Sequence, residues 1–105
     1  MAKVSIIVLK PKKDRTDELI ALLKQSNTTM QKLGIASERE HIISASEDGS
    51  IIHIFEWASE NSQDAAAEHS EIRDLWMEAE RLCEFLKPSA LKEFNEVFPS
   101  FTIIK

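Results

Sequence analysis

The feature that most constrains this chain is a set of short strand-like segments with apolar residues on both faces. Residues 3–9 are the clearest case, with one face carrying Val4, Ile6 and Val8 and the other carrying Ile7 and Leu9. This pattern is typical of a strand that is covered on both sides. Pro11 is expected to end the strand, because proline cannot extend a hydrogen-bonded ladder.

A hairpin is predicted next, because residues 39–46 and 50–57 flank Asp48-Gly49, a strong signal for a two-residue turn. Such a turn pairs positions whose numbers sum to about 97. The expected cross-strand pairs are Ile43 with Ile54, Ile42 with Phe55, Ser44 with His53, and His41 with Glu56. Both faces of this hairpin are again largely apolar.

Two helical regions separate these strands. The first has an apolar stripe from Leu19 to Leu33, with Asp14 or Thr16 as the cap at its start and a left-handed Gly34 at its end. The second opens at Ser59 or Asn61, with a kink near Ser70. Its apolar stripe runs through Ala65, His69, Ile72, Trp76, Ala79, Cys83 and Leu86. Pro88 is expected to start a short helix, and residues 101–104 to form the last strand.

The order strand, helix, strand, strand, helix, strand predicts a single α+β domain over residues 1–105. The expected architecture is ferredoxin-like βαββαβ, a four-stranded antiparallel sheet with two helices on one face. Apolar residues on both faces of the strands would leave the second face uncovered, and a second copy of the chain can cover it. We therefore expect a homodimer.

Composition excludes several classes of function. The chain has 18 acidic and 13 basic residues, and its net charge of −5 disfavours binding to nucleic acid or to an anionic membrane surface. No apolar run is long enough to span a bilayer, and no signal peptide is recognised, so a cytoplasmic protein is expected. The single Cys83 excludes an internal disulfide, and the scattered histidines predict no metal site.

Three stretches together resemble the antibiotic biosynthesis monooxygenase-like domains of the dimeric α+β barrel superfamily. They are the first strand and helix from Val4 to Gly34, the strand end Phe55-Glu56-Trp57 leading into Ala58-Ser59-Glu60-Asn61, and the run from Asp64 to Ile72 followed by Leu75-Trp76. The resemblance covers roughly residues 3–86. It implies paired sheets that form a barrel, with a pocket between sheet and helices in each subunit.

The resemblance also implies an activity. Some members oxidise phenols or quinols with molecular oxygen and without a metal or flavin, so no cofactor is expected here. Other members degrade haem, but they carry an Asn on the first strand, and the first strand of this chain has none. The expected function is a cofactor-independent monooxygenase that acts on a small aromatic or quinol ligand.

Four residues are candidates for the site. His53 lies mid-strand among apolar residues and can act as a general base towards a phenolic proton, or it can be a buried histidine bonded to Ser44. Trp57 and Trp76 can form walls for a flat ligand, and the Trp57 indole N–H can orient an oxygen atom, although both can equally be core residues. His69 can reach the mouth of the pocket or serve only a structural role.

Two other functions stay open. A non-catalytic binding or assembly module would have its pocket filled by side chains such as Phe55, Phe94 or Phe98. An isomerase or decarboxylase of small acids would need a cationic group in the pocket, for which the candidates are Arg39, Arg73 and Arg81.

Overall fold

A computed structural model describes residues 2–105 of the chain as an α+β fold. The strands are β1 (Val4–Pro11), β2 (Ile42–Ala45), β3 (Ile51–Glu56), β4 (Cys83–Leu86) and β5 (Thr102–Ile103). The helices are α1 (Thr16–Lys32), α2 (Ser62–Ala66) and α3 (Ser70–Leu82), with short 3₁₀ turns at Pro88–Ala90 and Lys92–Asn95. The class predicted from the sequence is confirmed.

Over the described residues the sheet is open and antiparallel, with five strands in the order β4-β1-β3-β2-β5. The predicted four-stranded ferredoxin-like arrangement is therefore wrong. The extra strand is β4, which comes from residues assigned to the second helix. The helix ends at Leu82, and Cys83 already has extended backbone angles of −154° and 172°. From there the chain runs back along β1, so that Cys83 pairs with Pro11 and Leu86 with Val8.

The register of the β2–β3 hairpin differs by one residue from the prediction. Ile43 lies opposite His53, and Ser44 lies opposite Ile52. A two-residue type I′ turn needs positive φ at both central positions, but of Asp48 and Gly49 only Gly49 has it, at +90°. The connection is therefore a three-residue loop closed by a hydrogen bond from the Ser46 N–H to the Ser50 carbonyl, 2.8 Å.

The ends of α1 were predicted in part. Gly34 takes the left-handed conformation at φ +72°, and its N–H donates to the Gln31 carbonyl, as expected for a helix end. The cap at the start was predicted wrongly. Arg15 occupies the capping position without a side-chain hydrogen bond, because Asp14 turns the chain with a φ of +62°. Asp17 and Glu18 still place negative charge at the positive end of the helix dipole.

The two faces of the sheet are covered differently. The inner face, defined by Ile7, Ile43, His53 and Phe55, packs against the three helices and holds most of the buried core. The outer face, defined by Val8, Ile52 and Ile54, is covered in part by residues 88–101, which we call the C-terminal segment. Leu91 is fully buried against Val8 and Ile52, with Phe94 and Phe101 beside them.

A buried carboxylate fastens the C-terminal segment to the hairpin. The Ser46 hydroxyl donates to the Glu93 carboxylate at 2.8 and 2.9 Å, and the Glu47 backbone N–H donates to it at 3.1 Å. These donors hold the pKa of Glu93 below its usual range, because they stabilise the charged form. The outer face is therefore less open than the sequence suggested.

Candidate ligand cavity

A cavity of about 500 Å³ lies between the inner face of the sheet and the helices. Its sheet side is formed by β1 and β3, where Ile7 and His53 are paired neighbours. Its helix side includes Leu22 and Leu23 of α1 and Leu75 and Trp76 of α3. This volume suits a small ligand, because such sites are concave and mainly apolar with a few polar groups.

His53 is the most deeply buried polar residue of the cavity wall, with 2% of its surface exposed. Its Nε2 lies 2.8 Å from Nδ1 of His41, which is itself 7% exposed. The rings meet edge to face with their centroids 5.0 Å apart. Within residues 2–105 this is the hydrogen bond that the structure gives His53, and its Nδ1 is not engaged by another described residue.

Two partners expected for these histidines from the sequence are wrong, and the register explains both. Ser44 lies on the outer face, so it cannot bond to His53. Glu56 is paired with Arg39, at 3.0 Å from Nε to the carboxylate, rather than with His41. Continuing the observed register by one residue puts His41 opposite Phe55, which makes it a diagonal neighbour of His53 on the inner face.

Both rings of this pair are held neutral. Burial, with a smaller contribution from His41, lowers the pKa of His53 from the ordinary 6.5 to about 3. The pKa of His41 is also lowered, mainly by burial and by the nearby Lys105 and Lys24, while Glu40 acts in the opposite direction. One neutral ring must therefore donate to the other across the 2.8 Å contact.

Trp57 lines the cavity, but its indole N–H is already used. It donates to the Ser5 hydroxyl at 2.7 Å, from one strand end to the next. The expectation that this N–H orients a ligand oxygen is therefore not met. The Ser5 hydroxyl accepts that bond and keeps its own proton to donate, and Ser5 also lines the cavity. An aromatic row follows along β3, with Phe55 and Trp57 centroids 4.7 Å apart.

The structure brings together three of the four candidate residues. His53, Trp57 and Trp76 all line the cavity, whereas His69 lies outside its lining, half-buried, at the start of α3. Ser5, Ser26 and Gln63 were not singled out from the sequence, and they add polar atoms to the wall. No sequence pattern pointed to them, because each is a common polar residue that only the packing of three elements brings to one place.

Among residues 2–105, none of those that line the cavity supplies the cationic group that an isomerase or decarboxylase would need. Arg39 pairs with Glu56, Arg73 donates to the Ala67 carbonyl at 2.7 Å, and Arg81 pairs with Glu78. The charged residue of the lining is Glu80 instead. The cavity therefore suits a neutral, mostly apolar ligand better than a small acid.

Cys83 is buried as predicted, although it lies on β4 rather than on a helix. Burial raises the pKa of its thiol to about 11, and its Sγ donates to the Ala79 carbonyl at 3.1 Å. A thiol with so high a pKa is a poor nucleophile at neutral pH.

Comparisons with protein-family models, with curated proteins and with solved structures found no match for this chain. Among residues 2–105, no helix combines the length and apolar character needed to cross a membrane. Over the same residues, no group of three or more His, Cys, Asp and Glu side chains is arranged to hold a metal ion.

Proposed function

We propose that this chain is a cofactor-independent monooxygenase that binds a small flat phenol or quinol in the cavity and oxidises it with molecular oxygen. The observation that carries the proposal is His53, a neutral imidazole in the wall of an apolar, aromatic-lined cavity, with one ring nitrogen not engaged by another described residue. A phenolic hydroxyl is the kind of group that such a nitrogen can bind and deprotonate.

The proposed reaction needs only the substrate, oxygen and a base. His53 takes the proton of the hydroxyl, and the resulting electron-rich anion gives electrons to O₂, which then bonds to an unsubstituted ring carbon ortho or para to the phenolate oxygen. The O–O bond breaks, and one oxygen atom stays on that carbon as a carbonyl. The other leaves as water with the hydrogen of that carbon and a proton that replaces the one the hydroxyl gave up. Exclusion of bulk water by the apolar wall protects the anion from side reactions.

Oxygen uptake with a panel of quinols tests this proposal. His53→Gln keeps an amide near the position of Nε2 but cannot act as a base, so uptake is expected to fall by about 100-fold or more. His69→Gln, outside the cavity, is the matched control and is expected to keep full activity. Absence of uptake with every quinol, or unchanged uptake in His53→Gln, would overturn the proposal.

A second candidate function is a binding module without catalysis, and the low pKa of His53, about 3, favours it. A neutral ring that resists protonation forms hydrogen bonds well but is a weak base when it acts alone. Titration of the protein with naphthol, followed by quenching of the fluorescence of Trp57 and Trp76, separates the two functions. Saturable binding without oxygen uptake supports the module.

We also propose that two chains pair through their outer faces, as in the antibiotic biosynthesis monooxygenase-like domains and the dimeric α+β barrel. Apolar side chains on this face remain between 40% and 70% exposed beside the C-terminal segment, namely Val4, Ile6, Ile42 and Ile103. They flank the part that Leu91 covers. Burial of such residues against a second copy removes apolar surface from water.

A further inference from the structure

The hydrogen bond between His41 and His53 links the tautomers of the two rings. A neutral imidazole carries one N–H, and only one proton can lie between Nδ1 of His41 and Nε2 of His53. If His41 supplies that proton, His53 must carry its own on Nδ1 and is a donor at that atom. If His53 supplies it, the Nδ1 of His53 is an acceptor, and His41 carries its proton on Nε2.

Building on the proposed function, we propose that His41 and His53 form a two-ring proton relay that carries the substrate proton out of the cavity. His53 is the catalytic residue that meets the substrate. His41 is a positioning residue that acts through it, by setting which nitrogen of His53 is protonated. The observations behind this are the 2.8 Å contact, the burial of both rings, and the position of His53 in the cavity wall.

The relay moves three protons by one step each. Nδ1 of His53 receives the phenolic proton, Nε2 of His53 passes its proton to Nδ1 of His41, and Nε2 of His41 releases its proton to water. Both rings are neutral before and after the transfer. The substrate is left as a phenolate, whose oxygen accepts a hydrogen bond from the new N–H of His53.

Burial is the physical reason why a relay suits this site better than a single base. A lone imidazolium at His53 would be charged in an apolar wall, which is unfavourable without a compensating partner. The second ring removes that charge from the cavity as it forms. His41 is the less buried of the two, and the charged groups that act on it are Glu40 beside it, Lys24 of α1 and Lys105 after β5.

Nitrogen-15 NMR of the imidazole rings tests the coupling directly, without substrate turnover. In the free protein we expect both rings to be neutral at pH 7 and to share the Nε2–H tautomer, which leaves Nδ1 of His53 able to accept the substrate proton. Two rings that are both Nδ1–H in the free protein would contradict the relay. With 4-nitrophenol bound, raising the pH until the bound probe becomes phenolate is expected to switch both rings together to Nδ1–H. A charged ring, mismatched tautomers or a switch of His53 alone would overturn the relay.

Variants at position 41 separate the relay from a structural role. In His41→Asn the amide reaches the place of Nδ1 and keeps the hydrogen bond, but it cannot pass a proton on. We expect kcat for quinol oxidation to fall at least ten-fold with KM unchanged and with an altered pH profile, whereas His69→Asn changes neither. Unchanged kcat and pH profile in His41→Asn would contradict the relay.

The two proposals fail in distinguishable ways. Absence of oxygen uptake by the wild-type protein removes the monooxygenase, while the NMR spectra of the free protein still decide whether the rings are coupled. If uptake is present but the tautomers do not match, the monooxygenase stands and the relay is wrong.

Discussion

At the scale of single residues, the buried histidine pair makes the fold sensitive to acid. His53 has a pKa of about 3 in the folded chain against 6.5 when unfolded, so between these values the unfolded state binds more protons. Stability is therefore complete above about pH 6.5 and declines as the pH falls towards 3. When the pH is lowered from about 7.5 to about 5, protonation of His53 in the unfolded chain is expected to reduce the free energy of unfolding by about 2 kcal/mol.

Urea denaturation at these two pH values measures the effect. His53→Phe removes the titrating group, so its loss of stability on acidification should be smaller than that of the wild type by about the same 2 kcal/mol. Equal acid sensitivity in the wild type and in His53→Phe would show that the pKa of His53 is not lowered.

The bond between Trp57 and Ser5 gives a second prediction at this scale. In Ser5→Ala the buried indole N–H loses its acceptor, which is expected to destabilise the fold by about 1–3 kcal/mol. Ser5→Thr keeps the hydroxyl on a strand and should stay close to wild type. Urea unfolding followed by tryptophan fluorescence compares the two. Equal losses in both variants would point to packing rather than to the hydrogen bond.

The candidate residues show how far sequence reasoning reaches. His53, Trp57 and Trp76 could be recognised because histidine and tryptophan are rare and lay at apolar positions. His41 and Ser5 could not be assigned to the site, because their roles depend on cross-strand neighbours. For His41, a register error of one residue in the β2–β3 hairpin exchanged those neighbours between the two faces of the sheet. For Ser5, no pairing of the first strand with β3 was predicted.

At the scale of elements, the β2–β3 loop depends on one residue. Gly49 has a φ of +90°, and a Cβ placed there would meet no atom within 4 Å, so any penalty comes from the backbone alone. Gly49→Ala is expected to lose about 1–2 kcal/mol of unfolding free energy. Gly49→Asn should lose less, since asparagine tolerates positive φ better. Thermal or urea unfolding checks the order glycine, asparagine, alanine.

The second helical region predicted from the sequence extends beyond Leu82, where α3 ends in the structure. Cys83 and Leu86 continue the three- and four-residue spacing of α3, so hydrophobic periodicity alone extends the helix. The strand forms because β1 has a second edge to pair, and that pairing joins residues 72 to 78 positions apart in the sequence, from Pro11 with Cys83 to Val8 with Leu86. Tertiary pairing of this kind leaves no local signal, whereas the Gly34 helix end, which is local, was predicted correctly.

At the scale of the whole molecule, the exposed outer face predicts self-association. Size-exclusion chromatography with light scattering at micromolar concentration is expected to give twice the chain mass of 11.9 kDa. Val4→Glu and Ile103→Glu place charges on that face and should weaken the dimer at least ten-fold. Met77→Glu, an exposed apolar position on α3, is the control. A stable wild-type monomer would contradict the pairing.

The exposed area of the outer face of the sheet could be predicted only in part. Apolar residues on both sides of the strands indicated that the second face needs a cover, and the predicted cover was a second copy of the chain. They did not indicate that the same chain supplies some of it, through Leu91 and the C-terminal segment. That contribution depends on a loop whose path is fixed by the bonds between Glu93 and Ser46, which are distant in sequence.

The C-terminal segment also affects how the chain folds while it is being synthesised on the ribosome. Strands β1 to β4 end at Leu86, so the four of them can assemble while the residues that cover Val8 and Ile52 are still inside the exit tunnel. During that interval the nascent sheet presents a bare apolar surface. We expect ribosome-tethered chains that have Leu86 outside the exit tunnel and Leu91 inside it to bind chaperones, and to become independent of them once Leu91, Glu93 and Phe101 have emerged.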